Sequence, residues 1–103
     1  MESKLKKILL YETYKNMLTL NMQDVFEQYY YSDLSLREIG ENNGISFQAV
    51  RDSLKKTEKT LEELEVKLGV VALKNKITKL NEYISSDNID LEKLKDKIKE
   101  LGE

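Results

Sequence analysis

The 103-residue chain contains no proline, cysteine, histidine or tryptophan, and only 4 glycines. Each absence excludes something. Without cysteine and histidine there is no thiolate nucleophile, no imidazole acid or base and no zinc site of the usual ligand types. Disulfides are excluded too, which suits a reducing cytoplasm. Without proline, and with few glycines, long helices run uninterrupted. No stretch approaches the roughly 18 apolar residues of a membrane span. The opening run Met1-Glu2-Ser3-Lys4-Leu5-Lys6-Lys7 lacks the apolar core of a signal peptide, so a cytoplasmic location is expected. No glycine-rich phosphate loop occurs. Glu38 and Glu41 stand at i,i+3, a spacing common on helix surfaces, so no enzyme activity and no cofactor are expected.

What is present is charge and helical periodicity. Charged residues make up 35% of the chain and the formal net charge is -2, so the expected class is all-α. The segment Ser35 to Leu54 predicts two short helices joined by a tight turn. Ser35 and Glu38 form a capping-box pattern. Leu36 and Ile39 share an apolar face, and Gly40 admits a close helix neighbour. Gly44 supplies the positive φ of the turn. Ile45 is expected to plug the angle between the helices and Ser46 to cap the second one, with Ala49, Val50 and Leu54 inward. Phe47, Gln48, Arg51, Asp52 and Lys55 then point outward, where a helix-turn-helix meets the DNA major groove.

The remaining pattern is helical throughout. A first helix is predicted from Lys4 to about Met17, with Leu5, Ile8, Leu9, Tyr11 or Glu12, Tyr14 and Leu18 at helical spacing. Asn21 is expected to cap a second helix over Met22 to Tyr31, with Val25, Phe26, Tyr29 and Tyr30 as its core-facing side. A long fourth helix carries Val50, Leu54, Thr57, Leu61, Leu64 and Leu68 at alternating spacings of four and three. Outside that seam, Glu58, Glu62 and Glu65 mix with Lys59 and Lys67, the charge pattern of a helix surface that supports i,i+4 pairs. Gly69 interrupts the phase as a hinge, a C-cap or a mid-helix residue. Val70, Leu73, Ile77, Leu80 and Ile84 resume the seam. Ser85-Ser86-Asp87-Asn88 marks a break, Asp90 a cap, and Leu91, Leu94, Ile98 and Leu101 a last stripe ended by Gly102. The expected organisation is a helix-turn-helix domain over 1–69 and an amphipathic helical extension over 70–103. The narrow stripes need cover, and Leu64, Leu68, Leu73, Ile77 and Leu80 are the candidate seam of a homodimer.

Charge is unevenly spread. From Ser46 to Lys59, Arg51, Lys55, Lys56 and Lys59 face two acids, Asp52 and Glu58. From Gln23 to Glu41, Arg37 stands alone against Asp24, Glu27, Asp33, Glu38 and Glu41. The reading helix is mildly basic and its supports are acidic.

Two blocks carry a family likeness: Tyr29-Tyr30-Tyr31-Ser32-Asp33-Leu34-Ser35-Leu36-Arg37-Glu38-Ile39 and Gly44-Ile45-Ser46-Phe47-Gln48-Ala49-Val50. Lys55-Lys56-Thr57-Glu58-Lys59-Thr60-Leu61-Glu62 follows, with Leu68 closing the run. With these the chain resembles the YlxM-type family of small bacterial helix-turn-helix proteins. The likeness spans nearly the whole length and is weak after about Leu73. It implies an all-α fold with a core like region four of sigma factors, to which the periodicity above adds a long fourth helix and a C-terminal helical extension. It also implies, through gene neighbourhood, a link to the signal recognition particle pathway. The chain departs from the usual pattern at Gly40, where alanine is common, and at Phe47, where a base is typical.

Two functions compete. In the first, a regulatory protein reads DNA: Gln48 pairs with adenine, Arg51 with guanine, and Phe47 touches a thymine methyl, while Lys55, Lys56 and Lys59 meet phosphates. In the second, the partner is a protein or ribonucleoprotein of the signal recognition particle pathway, without base reading. Phe47 then anchors the interface.

Overall fold

A helix of 22 residues organises the first unit, and the three helices before it all pack against it. The computed structural model of the protein describes residues 3–86 and 88–102. The helices are α1 (Lys4–Tyr14), α2 (Leu20–Tyr30), α3 (Leu36–Asn43), α4 (Phe47–Leu68), α5 (Val70–Ile84) and α6 (Leu91–Glu100). The fold is all-α, with a helix-turn-helix formed by α3 and α4. Two units separate at Gly69: Met1–Leu68 and Gly69–Glu103.

In the first unit the apolar residues of α4 that face the other helices are Val50, Leu54 and Leu61, joined by Thr57. Thr57 returns its hydroxyl to the Ser53 carbonyl at 2.9 Å, so burying it strands no polar group. Across from this seam, Tyr11 of α1 lies flat on Phe26 of α2, ring centroids 4.2 Å apart. Phe26 also meets Tyr30 at 4.4 Å. Val25, Phe26 and Tyr30 are buried, as their spacing predicts, while Tyr29 is exposed at the rim.

Tyrosine hydroxyls fasten this aromatic layer to carboxylates. Tyr11 donates to Glu27 and Tyr31 to Glu12. Tyr30 donates to Glu58 of α4 at 2.5 Å, and Tyr14 to Glu65. A buried ring thus keeps its apolar body inside and its O–H satisfied. No buried side-chain polar atom among the described residues lacks a partner.

Several expectations shift. The regular part of α1 ends at Tyr14, and Lys15–Met17 tighten into a 3₁₀ turn. The Gln23 amide ties down that turn, donating to the carbonyls of Lys15 and Leu18. Helix α2 starts at Leu20, because Thr19 and not Asn21 is its cap, accepting from the Met22 N–H at 3.1 Å. The inward face of α1 is Leu10, Tyr11 and Tyr14, whereas Leu5 and Leu9 are exposed. The stacking of Tyr11 on Phe26 fixes that rotation. On α4, Glu58 turns to Lys7 of α1 and Tyr30 of α2, and Glu65 accepts from Tyr14 of α1.

Gly69 ends α4. Its φ of 65° is left-handed, and its carbonyl accepts the Leu73 N–H to open α5. In the second unit α5 packs on α6. Asp90 caps α6 through the Glu92 N–H at 2.9 Å, as the sequence predicts. Tyr83 donates its hydroxyl to the Asp90 carbonyl and accepts the Asp90 N–H. Asp87, read as part of the break before α6, lies outside the described residues.

Candidate nucleic-acid interface

The turn between α3 and α4 sets everything on this face. The capping box at the start of α3 is complete: Ser35 Oγ accepts the Glu38 N–H at 3.1 Å, and Glu38 Oε1 accepts the Ser35 N–H at 3.0 Å. Those bonds hold the Glu38 carboxyl below its ordinary range, the Ser35 backbone N–H first. Helix α3 closes at Gly44, whose φ of 69° lies in the left-handed region. Both Gly44 and Ile45 then donate their N–H groups to the Gly40 carbonyl, the return bonding that glycine-ended helices use.

Gly40 is where α3 and the start of α4 meet. A methyl group there would stand 2.6 Å from the Ile45 carbonyl oxygen and 3.4 Å from the Phe47 nitrogen. The plug at this angle is therefore backbone. The Ile45 side chain, expected to fill it, is 41% exposed. Ser46 caps α4, accepting the Ala49 N–H at 3.1 Å. Ala49, expected inward, is exposed. Each residue turns a helix by about 100°, which leaves Ala49 on the flank of the Val50–Leu54–Thr57–Leu61 seam.

Phe47, Gln48, Arg51, Asp52, Lys55, Lys56 and Lys59 are all exposed. The structure brings them together along the first half of the outer side of α4. Among the described residues none of Arg51, Lys55, Lys56 and Lys59 forms an ion pair. Glu58, which by sequence offsets them, turns to the other side: Lys7 of α1 reaches it at 3.3 Å, and Tyr30 donates to it. The exposed stretch is thus more basic than its sequence. Beyond Lys59 the outer side changes character, with Glu62, Glu63 and an 87% exposed Val66.

Sequence reasoning missed Arg37. Its guanidinium lies over the Phe47 ring, 4.9 Å from the centroid. The two residues line a surface depression with Gly40, Glu41, Gly44, Ile45 and Ser46. Periodicity carries no trace of this pair, because it joins two helices across a turn. Of the candidate dimer seam, Leu64 and Leu80 are half-buried, and Leu68, Leu73 and Ile77 are exposed. The described residues gather no cluster of three or more carboxylates that could hold a metal ion. No helix among them is long and apolar enough to cross a membrane.

Comparison with known proteins agrees with this geometry. A family model of YlxM / p13-like helix-turn-helix proteins matches residues 1–101. A UPF0122 protein of Thermoanaerobacter sp. (strain X514) is 44% identical over 80 aligned positions, covering 74% of this chain and 68% of the relative. One from Limosilactobacillus reuteri is 48% identical over 63, covering 61% and 56%. One from Streptococcus agalactiae is 49% identical over 59, covering 57% and 54%. A turn closed by Gly44, a capped α4 behind it and a match over almost every residue lead to one assignment: the chain belongs to UPF0122, the YlxM/p13-like helix-turn-helix family.

Proposed function

We propose that the protein binds double-stranded DNA through the outer side of α4 and acts as a regulator in the cytoplasm. The observation that carries this reading is the row of unpaired cations Arg51, Lys55, Lys56 and Lys59, freed of Glu58 by Lys7 and Tyr30. Arg51 is suited to paired hydrogen bonds with guanine, Gln48 with adenine, and Asp52 accepts from the cytosine amine. The lysines meet phosphates, which position the helix without reading sequence. An overall charge of -2 keeps non-specific affinity low.

The test is a salt series against random duplex, promoter-like duplex and signal recognition particle RNA. Duplex binding should weaken steadily with salt, and Arg51→Glu should abolish it. Unchanged affinity of that variant at low salt removes Arg51 from the interface.

A second reading draws on the outer side of α4 past Lys59, where Val66 stands among Lys59, Glu62, Glu63 and Lys67. An exposed apolar residue within mixed charge suits a protein partner, and the family resemblance points to the signal recognition particle. A salt slope near zero on every nucleic acid, with a nuclease-resistant protein co-purifying, favours it. Homodimer formation through Leu64 and Leu68, or through Leu73, Ile77 and Leu80, fits either reading. A monomer in sedimentation at high concentration removes it.

A further inference from the structure

We infer that Arg37 is a phosphate contact supplied by α3, held in place by Phe47, the first residue of α4. The inference rests on the DNA-binding reading above. Both residues are exposed, and the guanidinium stands 4.9 Å from the ring centroid, inside the ~6 Å reach of a cation–π contact. An arginine held over a ring in this way can present its flat face to it. Its N–H groups lie in the plane and stay free at the edges, the geometry that phosphate oxygens accept in pairs.

The neighbouring carboxylates leave this charge alone. Glu38 is occupied by Ser35 in the capping box. Glu41 lines the same depression, yet among the described residues it makes no ion pair with Arg37. Asp33 lines a different surface depression, which Lys4 and Lys7 also line. A free surface arginine loses rotamer freedom when it binds. One already laid on a ring has given up part of that freedom. Phe47 and Arg51 are one turn apart on α4, so the stacked cation extends the basic row backward past the helix start.

The experiment titrates random duplex DNA at several salt concentrations with wild type, Arg37→Gln, Phe47→Leu, the double variant and Lys55→Gln. Circular dichroism checks that each folds. Arg37→Gln should reduce the slope of log affinity against log salt by about 0.9, one phosphate contact. Its disadvantage therefore shrinks about threefold between roughly 50 and 200 mM salt. Phe47→Leu keeps the charge, so it should weaken binding at near wild-type slope. The double variant should bind no worse than Arg37→Gln. A merely structural Arg37 would change stability or affinity without moving the slope.

A wild-type slope for Arg37→Gln, while Lys55→Gln lowers its own, overturns the inference and leaves the DNA reading standing. Additive losses in the double variant overturn the positioning role of Phe47. A wild-type slope near zero overturns both the inference and the reading beneath it.

Discussion

Gly40 and Gly44 sit four residues apart and are needed for different reasons. At Gly40 the conformation is ordinary helix, but a methyl group would press on the Ile45 carbonyl at 2.6 Å. At Gly44 nothing lies within 4 Å of an added methyl, and the constraint is the left-handed φ of 69°. Overpacking costs about 1–3 kcal/mol, against about 1 kcal/mol that alanine gains over glycine inside a helix. Gly40→Ala should therefore lower stability in urea by about 1 kcal/mol net. Gly44→Ala should cost about 1–2 kcal/mol through backbone strain alone. Gly44→Asn should recover part of that loss, since asparagine tolerates the left-handed region. Gly40→Ser should recover nothing, its Cβ meeting the same oxygen. A stabilised Gly40→Ala protein would show that the Ile45 carbonyl gives way. Both glycine roles were legible in the sequence, because the turn pattern fixes their offsets. The role of Phe47 was not. It reads as a lost cation at the start of the reading helix, and the structure lays the Arg37 charge on its ring.

Among the helices, a side-chain cap marks where each begins except α5, which opens at Gly69 without one. Ser35, Ser46 and Asp90 cap α3, α4 and α6 as their sequences foretell. The start of α2 was misplaced because Thr19 and Asn21 are both competent caps. The choice falls to Thr19, where the chain is extended at φ -68°, ψ 158° and the hydroxyl reaches Met22. The face of α1 was misread only in its first half, for a related reason. Tyr11 and Tyr14 are buried at their expected places, but Leu5 and Leu9 obey the same helical spacing as Leu10 does, and the stacking of Tyr11 on Phe26 turns Leu10 inward instead. Ser46→Ala deletes the cap of the helix proposed to read DNA. The expected loss is about 1 kcal/mol, seen as a fall of about 4–8 °C in Tm for a domain of this size. An unchanged Tm would mean that water serves the Ala49 N–H equally well.

The whole molecule should respond to pH at both extremes. Burial, and after it the bonds to Glu27 and Glu58, hold the Tyr11 and Tyr30 phenols well above their ordinary value of 10.0. The unfolded chain releases those protons near pH 10 and the folded one keeps them. Their stabilisation is whole below that pH and is lost as pH rises through the higher folded values. The urea midpoint should hold level from about pH 7 to 9 and fall from about pH 10, with a shallower fall in Tyr30→Phe. A midpoint that is flat to pH 11 would refute the tyrosine–glutamate clamps. At the acid end Glu12, bonded chiefly by Tyr31, and Glu38, bonded by Ser35, sit below their ordinary 4.5. Their contribution is present above that value and disappears as pH drops through the depressed one.

No residue of α5 or α6 is fully buried, whereas α2 and α4 enclose Val25, Phe26, Val50 and Leu61. A helical hairpin so thinly covered opens at little free energy, and each opening lets its amides trade hydrogen for deuterium. In deuterated buffer, mass should accumulate first over Leu73 to Tyr83 and last over the α4 stretch from Val50 to Leu61. Equal protection of the two would mean that a second molecule shields the hairpin in solution.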